Sequence, residues 1–219
     1  MYRSCKLPYI ALLAIYFLIN GTLAGQSESD LVEIQSVDPT IQVELKYAAA
    51  DNLTGKVLYP PEFKAQLRRG VLNELIQAQR SLESLGYGLK VWDAYRPMDA
   101  QKELFFVNSD PRFVALPGLQ SMHNRGAAVD VTLVDKNGKE VPMPTKFDVM
   151  DSSAFYIYRG KDPVILKNLQ TLQKVMKQSG FFACRTEWWH FFSRQWEKYP
   201  NVPEPERPSA INPPKSDQP

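Results

Sequence analysis

The 219-residue sequence contains little cysteine and little histidine. It has two cysteines, Cys5 and Cys184, and Cys5 lies in an amino-terminal stretch whose removal would leave Cys184 alone. An internal disulfide is therefore not expected, and Cys184 is interpreted as a small buried residue rather than a ligand or nucleophile. Histidine is equally scarce, so any histidine chemistry must use His123, His190 or both.

An excess of charge of one sign is also missing. Lysine and arginine number 26 against 24 acidic residues, which gives a formal net charge of +2, and no basic run occurs. This balance argues against a nucleic-acid partner. The length and the 44% hydrophobic content predict one domain with a substantial core.

The first 24 residues have the pattern of a secretory signal. Arg3 and Lys6 precede an apolar run over residues 7–19, and small residues follow, with a cleavage site expected after Ala24. An uncleaved anchor is the alternative, but the run of about 13 residues is shorter than the roughly 20 that a spanning helix needs. We therefore expect a periplasmic or secreted protein with no stable membrane insertion after cleavage.

Strand and helix patterns are mixed without regular alternation, which predicts an α+β fold. We expect a small, mostly antiparallel sheet packed against two long helices in a single catalytic domain. The predicted strands cover 31–37, 41–45, 89–95, 127–134 and 181–192, and the predicted helices cover 60–86, 97–106 and 162–180. Proline dominates from Tyr199 onward, so the domain is assigned to 25–200 and a disordered proline-rich tail to 201–219.

Both histidines lie in short stretches that also carry an acid. His123 and Asp130 are seven residues apart with Gly126 between them, and Glu187 precedes His190 by three. Two imidazoles and one carboxylate are a ligand set that leaves the fourth position of a tetrahedral zinc ion open for water. A turn at Gly126 is required, because an uninterrupted strand would place His123 and Asp130 on opposite faces.

Glu187 is the candidate base that acts on this water. Residues three apart on a regular strand point to opposite faces, so we predict a bulge or bend at Trp188–Trp189 that brings both Glu187 and His190 to the site. Arg96 stands at the predicted end of a strand. It can stabilise the oxyanion of a tetrahedral intermediate, or it can simply form a surface ion pair, and its position alone does not choose between these roles.

Taken in order, these motifs resemble the zinc D-alanyl-D-alanine dipeptidases of the VanX-like family of metallopeptidases. The resemblance covers most of residues 40–200. It is carried by Ser121-x-His123-x6-Asp130 and Glu187-Trp188-Trp189-His190, together with 46–48, 51–55, 92–97 and 147–151.

The resemblance implies hydrolysis of free D-alanyl-D-alanine to two D-alanines, with one zinc ion per chain on His123, Asp130 and His190. It also implies that Glu187 is the catalytic base and Arg96 the transition-state stabiliser. Three further residues are implied to bind the substrate: Tyr47 and Asp148 its ammonium, and Ser121 its carboxylate. The family includes cytoplasmic enzymes, so an export signal here would shift the role towards turnover of cell-wall fragments.

Two other functions are compatible with the same residues. A D,D-carboxypeptidase of the same zinc superfamily would trim wall peptides, although Tyr47 and Asp148 favour a substrate with a free amine. A metal-binding module without catalysis would not need Glu187 and Arg96. The sequence leaves the oligomeric state open.

Overall fold

The computed structural model describes residues 27–117 and 121–203. Its centre is a five-stranded sheet in the order β2-β4-β5-β7-β6. The strands are β2 (Gln42–Val43), β4 (Tyr87–Asp93), β5 (Ala128–Asp135), β6 (Phe181–Ala183) and β7 (His190–Ser193). Only the β2–β4 pair is parallel, so the expected mostly antiparallel sheet is confirmed.

Two long helices cover one face of this sheet. They are α2 (Arg69–Glu83) and α4 (Pro163–Gln178), which contact each other as well as the strands. The Asp162 side chain accepts hydrogen bonds from the first amides of α4, and Pro163 occupies the first turn, as the sequence predicts. The α+β fold class is therefore confirmed.

Successive side chains of β5 point alternately into the hydrophobic core and towards the opposite face of the sheet. Val129, Val131 and Leu133 are fully buried in the main hydrophobic core, which also contains the apolar stripes of α2 and α4. Asp130 and Thr132 project to the opposite face because successive side chains of a strand alternate. On that side lies a smaller cluster with helix α3 (Met98–Val107), formed by Tyr47, Tyr59, Ala100, Leu104 and Val114.

The first long helix was predicted to begin too early. Residues 66–68 form strand β3 (Gln66–Arg68), which pairs with β1 (Leu31–Glu33) in a separate two-stranded sheet. The helix can begin only at Arg69, after these residues have been drawn into the strand pair. Leu67 is buried as predicted, but in β3 rather than in the helical stripe.

Three predicted strands also differ from the structure. The 31–37 segment is the short β1 followed by one helical turn, α1 (Ile34–Val37), and only Gln42–Val43 of 41–45 is a strand. The 181–192 segment is two antiparallel strands, β6 and β7, rather than one. An aromatic-rich sequence does not reveal where it reverses direction, since both strands and the turn contain buried aromatic residues.

The predicted signal over 1–24 lies outside the described residues, as does the part of the predicted tail over 204–219. Val202, in the described part of the tail, donates its amide to the Asn124 carbonyl at 2.9 Å. Within 27–117 and 121–203, none of the helices combines the length and the apolar character needed to cross a membrane.

Candidate metal centre

The first ligand sits on a short turn immediately before β5. His123–Arg125 is a 3-10 turn that ends at Gly126, whose φ of 67° is left-handed. A side chain at Gly126 would also meet Leu31, since an added Cβ would lie 2.6 Å from its Cδ2. The predicted turn is therefore confirmed, and it returns His123 towards the face of β5 that carries Asp130.

The tautomer of His123 is set by a backbone contact. Its Nδ1 lies 2.6 Å from the Ala94 carbonyl oxygen, which can only accept a hydrogen bond. The Nδ1–H therefore donates there, and Nε2 keeps its lone pair on the side of the pocket. This orientation through the second ring nitrogen is the usual arrangement of metal-binding histidines.

The register between β5 and β7 places the other two potential ligands, Asp130 and His190, next to each other and close to His123. Asp130 of β5 pairs directly with His190 of β7. The Asp130 Oδ1 lies 2.8 Å from His190 Nδ1 and 3.3 Å from His123 Nε2, and the two histidine nitrogens are 3.0 Å apart. Burial opposes ionisation of Asp130, but His123 and His190 hold its pKa below the ordinary value.

The donor set fits a divalent ion. His123, Asp130 and His190 each offer one ligand atom, and these atoms all lie within 4.8 Å of one another. Three lone-pair atoms crowded together in a buried place repel one another unless a proton or a cation lies between them. Two imidazole nitrogens and one carboxylate oxygen match the ligands of catalytic zinc sites.

Glu187 reaches the same pocket through a turn. Trp188 and Trp189 form this turn before β7 begins at His190, and the His190 amide donates to the Glu187 carbonyl at 3.2 Å. The predicted bend is confirmed as a turn, and both tryptophans are fully buried and hold it in place. Burial raises the pKa of the Glu187 carboxyl well above its ordinary value, and the charge of Asp130 raises it further.

Arg96 is buried, which excludes the interpretation as a surface ion pair. Its Nε and Nη2 both lie 2.8 Å from Asp93 Oδ2, while Nη2 lies 3.6 Å from Asp130 Oδ2. The guanidinium carbon stands 5.1 Å from the centre of the Tyr47 ring, within cation–π range. Burial opposes the charge of Arg96, but Asp93 outweighs it and raises the pKa well above the ordinary value.

A further carboxylate, that of Asp148, lines the same pocket. Asp148 Oδ1 accepts the Tyr47 hydroxyl at 3.0 Å and Oδ2 accepts the Leu53 amide at 2.9 Å. Asp148 has a left-handed φ of 61°, a conformation that aspartate and asparagine tolerate better than most residues. Burial raises the pKa of Asp148 to about 6, even though both hydrogen bonds lower it.

All of the predicted site residues line one cavity of about 210 Å³. This volume is below the roughly 300–1,000 Å³ of typical ligand pockets, so the cavity suits a small substrate. The residues brought together are Tyr47, Arg96, Ser121, His123, Asp130, Asp148, Glu187 and His190.

Sequence reasoning missed part of the setting of Arg96. Tyr59 donates to Asp93 Oδ1 at 2.6 Å, and Gln101 Oε1 accepts from Arg96 Nη1 at 2.9 Å. Asp93 is three positions from Arg96 and its proximity is evident from the sequence, and that of Gln101, five positions away, could have been noticed. Their burial around a cation could not, because it depends on segments far apart in the chain.

Comparisons with known proteins show which family this chain is similar to. A family model described as D-ala-D-ala dipeptidase, Peptidase_M15, matches residues 27–204. The D-alanyl-D-alanine dipeptidase of Escherichia coli K12 is 34% identical over 172 residues, covering 78% of this chain and 89% of that protein. The enzyme of the same name from Enterococcus faecium is 34% identical over 181 residues, covering 74% and 89%.

Among solved structures, that of the LdcB LD-carboxypeptidase aligns with a TM-score of 0.44 and 18% identity, covering 78% of this chain and 72% of that one. The match of the family model to most of the chain, together with relatives at 34% identity over most of their length, identifies the family. This chain belongs to the D-ala-D-ala dipeptidase family of the M15 peptidases.

Proposed function

We propose that this protein hydrolyses free D-alanyl-D-alanine to two D-alanines by zinc-dependent catalysis, with Glu187 as the base. The observation that carries the proposal is that three potential metal-ligand atoms, a carboxyl group outside the ligand set and a buried guanidinium all lie in one small cavity. His123, Asp130 and His190 supply the ligand atoms, all within 4.8 Å of one another. Glu187 and Arg96 line the same cavity.

Zinc is the cofactor of this peptidase family, and the three side chains named above would hold it. When bound, zinc supplies Lewis acidity, which lowers the pKa of a water and polarises the scissile carbonyl. The chain itself prepares the ligands. The Ala94 carbonyl fixes the tautomer of His123, and β-sheet register aligns Asp130 with His190.

Glu187 moves the protons in this proposal. It takes one from the attacking water and returns it to the amine of the leaving D-alanine. Burial and the charge of Asp130 raise the pKa of Glu187 well above its ordinary value, which makes the carboxylate a stronger base than an exposed glutamate. A base of this kind can hold the proton between the two transfers.

Arg96 stabilises the charge that develops on the carbonyl oxygen. Asp93 holds its guanidinium in a buried position, where an oriented donor acts more strongly than in water. No rearrangement of the cation is needed when the charge appears. The free energy needed to order the Arg96 side chain is spent when the protein folds and not during the reaction.

A free amine is recognised by Asp148 together with Tyr47. The Tyr47 hydroxyl donates to Asp148, and its oxygen remains able to accept from an ammonium group. An N-acylated wall peptide carries no ammonium to neutralise this half-buried carboxylate. The pair therefore favours the free dipeptide over the substrate of a D,D-carboxypeptidase, which is the second candidate function.

The test is a direct comparison of substrates. Purified protein, loaded with zinc, is given D-Ala-D-Ala or an N-acylated tripeptide ending in D-Ala-D-Ala, and released D-alanine is measured. We expect turnover of the dipeptide only. Preferential cleavage of the acylated peptide would establish the carboxypeptidase instead, and zinc binding without turnover of either would indicate a metal-binding module.

We further propose that the enzyme acts outside the cytoplasm in turnover of cell-wall peptides. The support is the signal-like sequence over residues 1–24, with Arg3 and Lys6 before a short apolar run. Fractionation of cells that produce the full chain, combined with mass determination of its amino terminus, tests this. Full-length protein in the cytosol would contradict it.

A further inference from the structure

Gln101 is a fully buried glutamine whose amide is bonded on both sides. It lies on α3, where its Oε1 accepts from Arg96 Nη1 at 2.9 Å. Its Nε2 donates to the Ala115 carbonyl oxygen at 2.7 Å. A buried amide with both ends engaged has one orientation, because reversing it would set donors against donors and acceptors against acceptors.

The contacts of Arg96 explain what this orientation achieves. Nε donates to Asp93 Oδ2, Nη2 lies 2.8 Å from the same oxygen, and the Tyr59 hydroxyl donates to the other oxygen of that carboxylate. Attachment through one oxygen leaves the guanidinium plane free to tilt about it. The bond from Nη1 to Gln101 adds a second, separate point and removes this freedom.

A guanidinium carries five N–H groups, and the hydrogen bonds to Asp93 and Gln101 use two of them, one on Nε and one on Nη1. In the described part of the chain no hydrogen bond uses the second N–H of Nη1 or either N–H of Nη2, and Nη2 lies 3.6 Å from Asp130 Oδ2. Arg96 lines the cavity that contains the metal ligands, so these three N–H groups are the ones that a carbonyl oxygen can meet there. Their direction is set by Asp93 and Gln101 together.

The other end of Gln101 reaches the cavity wall. Ala115 belongs to a wall segment, Pro111–Ala115, whose residues all line the cavity. At its far end the Arg112 carbonyl accepts from the Thr186 hydroxyl at 2.6 Å, next to Glu187 in sequence. Gln101 therefore connects the cation on one side of the cavity to the wall that continues to the base.

We propose that Gln101 is a positioning residue for dipeptide hydrolysis, holding the remaining N–H groups of Arg96 in register with the reacting carbonyl and fixing the wall segment at Ala115. This inference rests on the proposed function, and specifically on the role of Arg96 as oxyanion stabiliser. Gln101 does not itself touch the reacting atoms.

The primary test is the variant Gln101→Met. Methionine has a similar length and volume and is unbranched, but it forms neither hydrogen bond. We expect kcat to fall about 10- to 100-fold, because an oriented donor in a transition state is worth at least this much. KM for D-Ala-D-Ala and the zinc affinity measured by competition with a chelator stay close to those of the unmodified protein.

Gln79 provides a matched control. It is also a buried glutamine, and its Oε1 accepts the Leu89 amide at 2.8 Å, but it does not line the cavity. Gln79→Met loses a comparable buried hydrogen bond and is expected to lower the melting temperature without lowering kcat. Equal losses of kcat in Gln79→Met and Gln101→Met would mean that both act through stability, and the proposal would fall.

A double-mutant cycle with Arg96→Lys separates positioning from general damage. The quantity measured is the affinity for a phosphinate analogue of the dipeptide, so the cycle can be read even if a variant does not turn over. We expect Gln101→Met to weaken binding about 10- to 100-fold beside Arg96 and to have little effect beside lysine, which lacks the guanidinium fork. Equal weakening on both backgrounds would overturn the proposal.

Gln101→Glu is a second variant that can be measured if Gln101→Met does not fold. Its carboxylate can still accept from Arg96 but cannot donate to Ala115, and its charge competes with a bound oxyanion for the guanidinium. We expect it to fold and to lower kcat and phosphinate affinity together.

If neither Gln101 variant folds, the residue is structural and the proposal is wrong. If the unmodified zinc protein leaves D-Ala-D-Ala intact, the proposed function fails, whereas the cycle on phosphinate affinity still tests Gln101.

Discussion

Asp148→Asn should make the protein more stable and its substrate binding weaker. Burial raises the pKa of Asp148 from 3.8 to about 6. At neutral pH the folded protein therefore carries an ionised carboxylate that water would solvate better in the unfolded chain, and this lowers the free energy of unfolding. The gap of about two units corresponds to about 3 kcal/mol of unfolding free energy. The amide removes this penalty because it does not ionise.

The hydrogen bonds set a limit to the gain. An asparagine can accept the Leu53 amide with its oxygen and donate to the Tyr47 hydroxyl oxygen with its nitrogen, which requires that hydroxyl to turn. An imperfect exchange costs about 1 kcal/mol. The left-handed φ of 61° adds little strain, because asparagine tolerates it as well as aspartate. The expected net gain is about 1–3 kcal/mol at pH 8.

The sign of the pH dependence follows from the raised pKa. Below about pH 4 the carboxyl is protonated in both states and costs nothing. Between pH 4 and 6 the unfolded chain releases the proton while the folded protein keeps it, so stability falls as the pH rises. Above about pH 6 the penalty is complete. The ionisation penalty should therefore be about half as large at pH 5 as at pH 8, and the net advantage of Asp148→Asn about a third as large once the hydrogen-bond cost is subtracted.

Urea unfolding of metal-free protein at pH 5 and pH 8 measures this difference, with Asp51→Asn as an exposed acid-to-amide control two residues before Leu53, whose amide Asp148 accepts. The KM for D-Ala-D-Ala in the zinc protein should rise about 10- to 100-fold in Asp148→Asn, since a charge-assisted hydrogen bond to the ammonium is lost. The reasoning is refuted if Asp148→Asn is no more stable than the unmodified protein at pH 8, or if its advantage does not change with pH.

Three further outcomes are expected from the same geometry. Glu187→Gln should bind zinc normally and lose about 10²–10⁴-fold in kcat, measured by D-alanine release alongside zinc content; retained turnover would remove Glu187 as the base. Asp130→Asn should weaken zinc binding in chelator competition, because the amide supplies no charge; an unchanged affinity would exclude Asp130 as a ligand. Treatment with chelator should abolish hydrolysis and added zinc should restore it; a fully active chelated sample with no residual metal would contradict zinc dependence.

The agreement between sequence and structure depends on how local each feature is. The turn at Gly126 and the bend at Trp188–Trp189 follow from parity, since a strand cannot present two residues an odd number of positions apart on one face. Helix α4 was recognised from Asp162 and Pro163, which act within a single turn. These features are set by neighbours a few residues away, so the sequence contains what is needed to predict them.

Features that depend on distant pairing were predicted wrongly or not at all. The start of α2 is set by β3, and β3 exists because residues 66–68 pair with β1 more than thirty positions earlier. The reversal between β6 and β7 is likewise a matter of pairing. Periodicity reports which residues prefer to be buried, but not which segment will bury them.

The site divides in the same way. The sequence by itself determined the chemistry, since only two histidines are available and each lies beside an acid in a pattern that resembles a known peptidase family. Tertiary structure alone decided that Asp130 stands opposite His190, that Arg96 is buried between Asp93 and Gln101, and that burial raises the pKa of Asp148 to about 6. Side-chain type is fixed by the chain, whereas distance, burial and field strength arise only when remote segments pack together.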